Sequence, residues 1–359
     1  MPLPGRLRVL FLPSYATSNP YQRELARALR DRGVRVVYAG APPHHPLPIL
    51  SGWVRRHRPR VVHLHWTHQY LGGAEVTPGR LHRARFLGQL RLLRWLGVRL
   101  VWTIHNVGSH EGDRSPVEMA VHRRLFELCD AVICHCEAAA KSAAEAYELD
   151  PELRRRLHVI PHGNYIGVYP NTVSRSEARS RLGLPADARV LLFIGAVRAY
   201  KGLEELLAAF RTLDEPDVRL VLAGSPRRPS DAVRVVAAAA GDSRVTVRLE
   251  FIPEGELQVL LNAADVVVLP FRDVLTSGSM VLAMSFGRAI VAPSMGCLPD
   301  TLAADGGVLY DPDDPKGLVT ALRTALTADL EAMGARNLDR ARELDWGPIA
   351  EATAQLYRA

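Results

Sequence analysis

Residues 190–202 read Val-Leu-Leu-Phe-Ile-Gly-Ala-Val-Arg-Ala-Tyr-Lys-Gly, five apolar residues followed by a glycine-bounded loop that carries two cations. An uninterrupted apolar run of this length is a strand covered on both faces, as in a parallel sheet. The run from Leu203 onward has helical periodicity, so Gly195 to Gly202 form the turn from a strand to a helix. Doubly wound sheets bind their ligands at such carboxyl-end turns. There an Arg and a Lys can clamp a diphosphate and stabilise it as negative charge develops on leaving. The same pattern is also compatible with an ordinary turn bearing two solvated cations.

The alternation extends in both directions. Upstream, strands are predicted at Arg8–Leu12, Val34–Tyr38, Val61–His65, Arg99–Ile104, Ala131–Cys134 and His158–Ile160, with helical patterns such as Tyr21–Arg32 and Pro116–Leu128 between them. Downstream, they are predicted at Arg219–Ala223, Thr246–Leu249, Val266–Leu269 and Ala289–Ala292. Helices follow at Pro315–Leu326, Asp329–Leu344 and Gly347–Tyr357. Short apolar strands alternating with helices predict an α/β protein with parallel sheets. At 359 residues the chain accommodates two such domains. Their expected limits are 1–170 and 171–345, with 346–359 as a helix crossing back to the first.

With 48% hydrophobic and 23% charged residues, the chain can bury two ordinary cores. No signal peptide is read at the start, and no run approaches the roughly 18 apolar residues of a membrane span. A cytoplasmic location is expected, with peripheral contact at the inner face of the membrane as a further option. Residues 1–170 carry 24 basic and 13 acidic residues, net +11, and the remainder 21 and 25, net −4. All 13 histidines lie at or before His162. This asymmetry suits an anionic partner such as a phospholipid surface, and equally an arginine-rich composition. Nucleic acid is not expected, because no aromatic-rich reading surface accompanies the charge. Cys134-His135-Cys136 falls in an apolar strand and lacks the other ligands of a closed zinc site, so a buried strand is the better reading.

A second segment, Thr276-Ser277-Gly278-Ser279, follows the strand Val266–Leu269 and precedes a helix at Met280–Phe286. Hydroxyl residues there cap the helix, and its exposed N–H groups can seat a phosphate. Two such segments at strand ends of one half favour a shared diphosphate over capping alone.

The second half resembles the nucleotide-binding domain of family 4 glycosyltransferases. The matching stretches are FIGAVRAYKGLEELLAAF, LVLAGSP, FIPEGELQVLLNAADVVVLPF, VLAMSFGRAIVAPSMGCLPD and GGVLYDPDDPKGL, in order across 189–326. The first half is similar through VVHLHW, WTIHN, DAVICHCEAA and VIPHGNY. The resemblance implies the GT-B fold, two Rossmann-like doubly wound domains facing across a cleft. It places Gly195, Arg198 and Lys201 at the donor diphosphate, and Gly224, Ser225, Phe251, Ile252 and Pro253 at the base and ribose. Thr276, Ser277, Gly278 and Ser279 stand in place of the usual glycine-rich turn. His105 falls where a family histidine approaches the donor sugar. The sequence departs from the family at two glutamates, replaced by Val274 and Leu282; Asp273, one residue early, is a candidate substitute for the first.

The first half is expected to hold the acceptor. His105 to Asp113 follows the strand Arg99–Ile104, and a base for an inverting reaction would come from Glu111 or His110. Ser14, Asn19 and Tyr21 follow the first strand and are expected on the acceptor side. His63 and His65 share one face of a strand end and read as polar lining sooner than as metal ligands. Asn164 opens the segment between the halves and is expected on the acceptor side as well. The stretch Gly79–Trp95 alternates arginines with Leu, Phe and Trp at near-helical spacing. It reads sooner as an ordinary helix packed on the sheet with its arginines solvated than as an interfacial helix, because basic residues recur throughout this half.

The expected activity is transfer of a hexosyl group from a UDP- or GDP-sugar to a hydroxyl of a glycan, glycolipid or small molecule. No bound cofactor or metal is expected; the nucleoside diphosphate sugar is a co-substrate. The alternatives are a nucleotide-sugar epimerase of the same architecture and a nucleotide-binding relative without catalysis. A dehydrogenase is disfavoured because no GxGxxG follows the first strand of either half.

Overall fold

The computed structural model describes residues 7–17, 19–40, 45–71, 79–108 and 116–359. The chain divides into two compact units, one ending at Gly163 and taking in Asp345–Ala359, the other Asn164–Leu344.

In the first unit, strands β1 (Leu7–Leu12), β2 (Val34–Tyr38), β3 (Val61–Leu64), β4 (Arg99–Thr103), β5 (Ala131–Cys134) and β6 (Leu157–Val159) form a parallel sheet in the order β2-β1-β3-β4-β5-β6. The strand order reverses between β1 and β3, the kind of position at which doubly wound sheets bind ligands. The helix Pro20–Arg30 starts there. Asn19 caps it by accepting the Tyr21 N–H at 3.0 Å, and Pro20 supplies the preset φ of the first turn. On the same face the C-terminal helix Trp346–Arg358 buries Trp346, Ile349, Ala350, Ala354 and Tyr357 against Val9, Phe11, Leu25 and Val101.

In the second unit, β7 (Arg189–Ile194), β8 (Val218–Ala223), β9 (Val245–Arg248), β10 (Val266–Val268), β11 (Ala289–Pro293) and β12 (Gly307–Tyr310) form a parallel sheet in the order β12-β11-β10-β7-β8-β9. This is the dinucleotide-fold order, with its reversal between β7 and β10. Strands β7, β10 and β11 are buried almost throughout, which explains their unbroken apolar sequences. Asp265 pins the start of this sheet. Its carboxylate accepts from the Val190 N–H at 2.7 Å and from Arg179 at 2.8 Å, and it also pairs with Arg175.

Strand β12 was not anticipated. It is an edge strand, only half-buried, and it opens on Gly306-Gly307, which looks like a turn. The reason for glycine is steric: a Cβ on Gly307 would lie 2.2 Å from the Ile290 carbonyl oxygen.

Candidate active site

Within the second unit, the loops leaving β7, β8, β10 and β11 converge at the carboxyl ends of the strands. The Val197 N–H donates to the Ser225 carbonyl at 2.9 Å, and the Arg272 N–H to the Tyr200 carbonyl at 2.9 Å. The Cys297 N–H reaches the Leu275 carbonyl at 2.7 Å. Two glycines permit this crowding. Gly202 has φ +69°, and a Cβ there would stand 1.8 Å from the Pro270 oxygen; one on Gly224 would stand 1.8 Å from the Gly195 oxygen. Only glycine meets both demands.

The two cation and hydroxyl segments read from sequence come together here. Ser279 Oγ lies 3.1 Å from where a Cβ on Gly195 would stand. Ser277 caps the helix Gly278–Ser285, accepting the Met280 N–H at 3.2 Å. The helix therefore presents its N-terminal N–H groups beside the Gly195–Gly202 loop, at the topological switch point. Lys201 lies in this loop with its ammonium 3.9 Å from the centroid of the Phe271 ring. Burial, with Arg198 adding like-charge repulsion, pushes its pKa down to about 7. Phe271 was not singled out from sequence, although it directly follows the apolar run at the end of β10. Gly224 and Ser225 follow β8, and Phe251 to Pro253 follow β9, with Phe251 77% exposed. Asp273 is half-buried on the loop after β10. Val274 and Leu282, which stand where the resemblance leads one to expect glutamates, are buried apolar side chains of the core.

Within the first unit, the carboxyl ends of four successive strands each lead to a histidine: His65 after β3, His105 after β4, His135 after β5 and His162 after β6. Their rings surround Tyr21, whose centroid lies 5.9, 5.1, 5.5 and 4.9 Å from theirs. Trp66 stacks on His105 at 4.2 Å, and Trp346 closes on Tyr21 at 5.5 Å. His65 Nδ1 and His105 Nε2 are 3.3 Å apart. His135 Nδ1 donates to the Ile160 carbonyl at 3.0 Å, which leaves its Nε2 as a lone pair. Burial is the main cause that holds these imidazoles neutral: His135 is pushed down to about 4, His162 to about 3, and His65 and His105 well below the ordinary value. The recurrence of a histidine just past each strand is a signal the sequence contains, and it was read only for His65 and His105.

Three of the acceptor-side expectations meet local structural demands instead. His63 is fully buried, with Nδ1 2.7 Å from the Tyr357 hydroxyl and Nε2 2.7 Å from Thr103 Oγ1. Both nitrogens are occupied, so it is a core histidine and not a lining one. Asn164 donates its amide to the Ala341 and Leu344 carbonyls and accepts the Ile166 N–H, which fixes the chain where the second unit begins. The Asn19 side chain is engaged as a helix cap. Ser14 lies in the loop after β1, its N–H bonded to the Ala39 carbonyl at 2.9 Å. His110 and Glu111 lie outside the described residues. Among the described residues, no group of three or more His, Cys, Asp or Glu side chains is arranged to hold a metal ion.

Comparison with known proteins places this architecture. Residues 46–164 match the model of Glycosyltransferase Family 4, and residues 188–328 that of Glycosyl transferases group 1. A GDP-mannose:glycolipid 4-beta-D-mannosyltransferase of Xanthomonas campestris pv. campestris is 30% identical over 80% of this chain and 74% of its own. A D-inositol 3-phosphate glycosyltransferase of Kineococcus radiotolerans is 28% identical over 91% of this chain and 81% of its own. Among solved structures, Anabaena HepE in complex with UDP and glucose superposes with a TM-score of 0.75 at 16% identity, over 97% of this chain and 98% of that one. The fold is GT-B, and the family is one of sugar transferases, which sets aside epimerisation and binding without catalysis. With two parallel sheets in these strand orders and family matches in both units, the chain belongs to the family 4 glycosyltransferases.

Proposed function

We propose that the second unit binds a UDP- or GDP-hexose and that the first unit receives the acceptor hydroxyl of a glycan, glycolipid or small molecule. One observation carries the donor assignment. The Gly195–Gly202 loop with Arg198 and Lys201 meets the Ser277-capped helix start at the switch point between β7 and β10. Two cations and a helix N-terminus together suit a diphosphate, both bound and leaving. In this reading Gly224, Ser225 and Phe251–Pro253 flank the nucleoside, Thr276 to Ser279 seat a phosphate, and Asp273 faces the hexose. With Leu282 in place of a carboxylate, the ribose loses a charge-assisted hydrogen bond worth about 1.5–3 kcal/mol, so nucleoside affinity rests more heavily on the diphosphate.

On the acceptor side, Ser14, Tyr21, His65 and His105 lie at the β1/β3 switch point and its neighbour β4. A histidine held as low as His105 is a poor proton acceptor at pH 7, because general bases work best with a pKa near the operating pH. His105 therefore serves as a neutral hydrogen-bonding group to a sugar, and proton removal falls to another group, for which Glu111 and His110 are the candidates. We include in the proposal a peripheral contact of the basic first unit with anionic lipid, which would bring a glycolipid acceptor within reach.

A thermal-shift panel of UDP, GDP, ADP and TDP, with and without Mg²⁺, tests the donor site. Selective stabilisation by one base, lost in Lys201→Ala, is the expected outcome. No response to any nucleotide would remove the donor assignment.

A further inference from the structure

The helix Arg80–Trp95 has two apolar faces, and the sheet accounts for only one of them. Phe86, Leu90 and Leu93 are buried against the unit. Leu81, Ala84, Gly88, Leu92 and Trp95, spaced by three or four residues, lie within an arc of about 80° on the opposite side. That side faces solvent: Leu81 is 68% exposed and Trp95 81%. Leu92, together with Leu96 just past the helix end, extends the same surface. Arg80 and Arg91 flank the stripe, both exposed. On the other flank Arg85 donates to the His45 and Pro46 carbonyls, and this brings exposed Leu47 alongside.

We propose that this outward face is a docking surface for an anionic lipid bilayer, an inference that rests on the acceptor and membrane reading above. An apolar centre with a cationic rim suits the boundary between headgroups and acyl chains, where Trp and Leu are buried shallowly and Arg meets phosphate. Charge selects the occupant. Between Asp31 and Glu111 the sequence carries twelve arginines and one acidic residue, Glu75. Two copies of such a face repel each other, whereas an anionic leaflet attracts it. No helix among the described residues is long and apolar enough to cross a membrane, so the contact is peripheral.

The test is co-sedimentation of the full chain with vesicles of phosphatidylcholine alone and of phosphatidylcholine with phosphatidylglycerol. Wild type is expected to sediment with the anionic vesicles only, less so as salt rises. Arg91→Ser should weaken partition about fivefold, the effect of one cation near an anionic surface. The combined Leu81→Ser, Leu92→Ser, Trp95→Ser variant should lose about tenfold or more. All three residues are exposed, and an unchanged nucleotide response would show that the variant is folded. Lys201→Ala should sediment like wild type, which separates failure of the donor site from failure of this surface. Equal sedimentation with both vesicle types overturns the proposal, as does a triple variant that sediments normally. So does a wild-type dimer that the triple variant converts to monomer.

Discussion

If Lys201 receives the diphosphate, the affinity of the enzyme for a nucleoside diphosphate must fall as pH rises through neutrality. The ammonium lies 3.9 Å from the Phe271 ring centroid and shares its loop with Arg198; burial first, and the like charge second, hold its pKa at about 7 in the unliganded protein. An unperturbed lysine titrates above 10, so it would give no slope in this range. With a pKa near 7, about nine in ten molecules carry the charge at pH 6 and about one in ten at pH 8. A bound diphosphate favours the charged form, so binding above pH 7 must take up a proton. The apparent affinity then drops about tenfold between pH 6 and pH 8, or about 1.4 kcal/mol. Titration calorimetry with the nucleotide selected by the panel measures this directly, and buffers of different ionisation enthalpy report the proton uptake. Lys201→Met over the same range supplies the ligand's own titration, to be subtracted. Lys201→Arg, always charged, should bind without the extra slope. A wild-type to Lys201→Met ratio that stays flat from pH 6 to pH 8 would refute the assignment of this cation to the diphosphate.

Other outcomes follow from the same geometry. Gly202→Ala should destabilise the second unit by several times the roughly 1 kcal/mol expected for Gly183→Ala. Both glycines have positive φ, but only Gly202 has a carbonyl oxygen where the Cβ would go, so paired thermal melts check the argument. Asp265→Ala should cost about 3–5 kcal/mol in chemical denaturation, because it leaves the buried Arg179 guanidinium without its counter-charge. Acid should destabilise the first unit. Its buried histidines have folded pKa values below the unfolded value, so the unfolded state binds more protons and stability falls from about pH 6.5 downward, towards the value of about 3 held by His63 and His162. Melting curves between pH 4 and pH 7 should show this slope, reduced in His63→Gln.

The fold was legible because parallel strands announce themselves. Val190–Ile194, Val266–Leu269 and Ala289–Ala292 are apolar without alternation, and each proved to be a strand covered on both faces. Edge positions were less legible. Gly307–Tyr310 pairs on one side only and is half-buried, so its composition is that of a loop with a strand's backbone. The helix Arg80–Trp95 was legible as a helix but not in its orientation. Its arginines read sooner as solvated than as interfacial, and only the exposure of Leu81 and Trp95 shows that a second apolar face is left over.

The candidate site was unevenly legible, for a reason rooted in the chemistry proposed for each half. A diphosphate is received by backbone N–H groups, a helix start and cations, and these leave dense local signatures: glycines where a Cβ cannot fit, hydroxyls at a cap, a lysine at a strand end. Gly195, Gly202, Ser277 and Lys201 were therefore singled out by their place at strand ends and by the family resemblance, and the structure brings their segments together within one unit. The histidine cluster has no local signature. Its members are about 30 residues apart, and each alone looks like a core or strand residue. His63, two residues from His65, shows how little separates the two cases. Alternation along β3 aims both imidazoles to one side, yet His63 is consumed by Thr103 and Tyr357, whereas His65 keeps a buried Nε2 without a protein partner. That nitrogen and the equally unpartnered Nε2 of His135 are costly to leave bare, since an unsatisfied buried polar group costs about 1–3 kcal/mol. Such a cost is tolerated where a ligand or water repays it. Tyr21 and the β1/β3 switch point lie beside these nitrogens, so the acceptor assignment rests on the cluster as a whole and not on any single histidine within it.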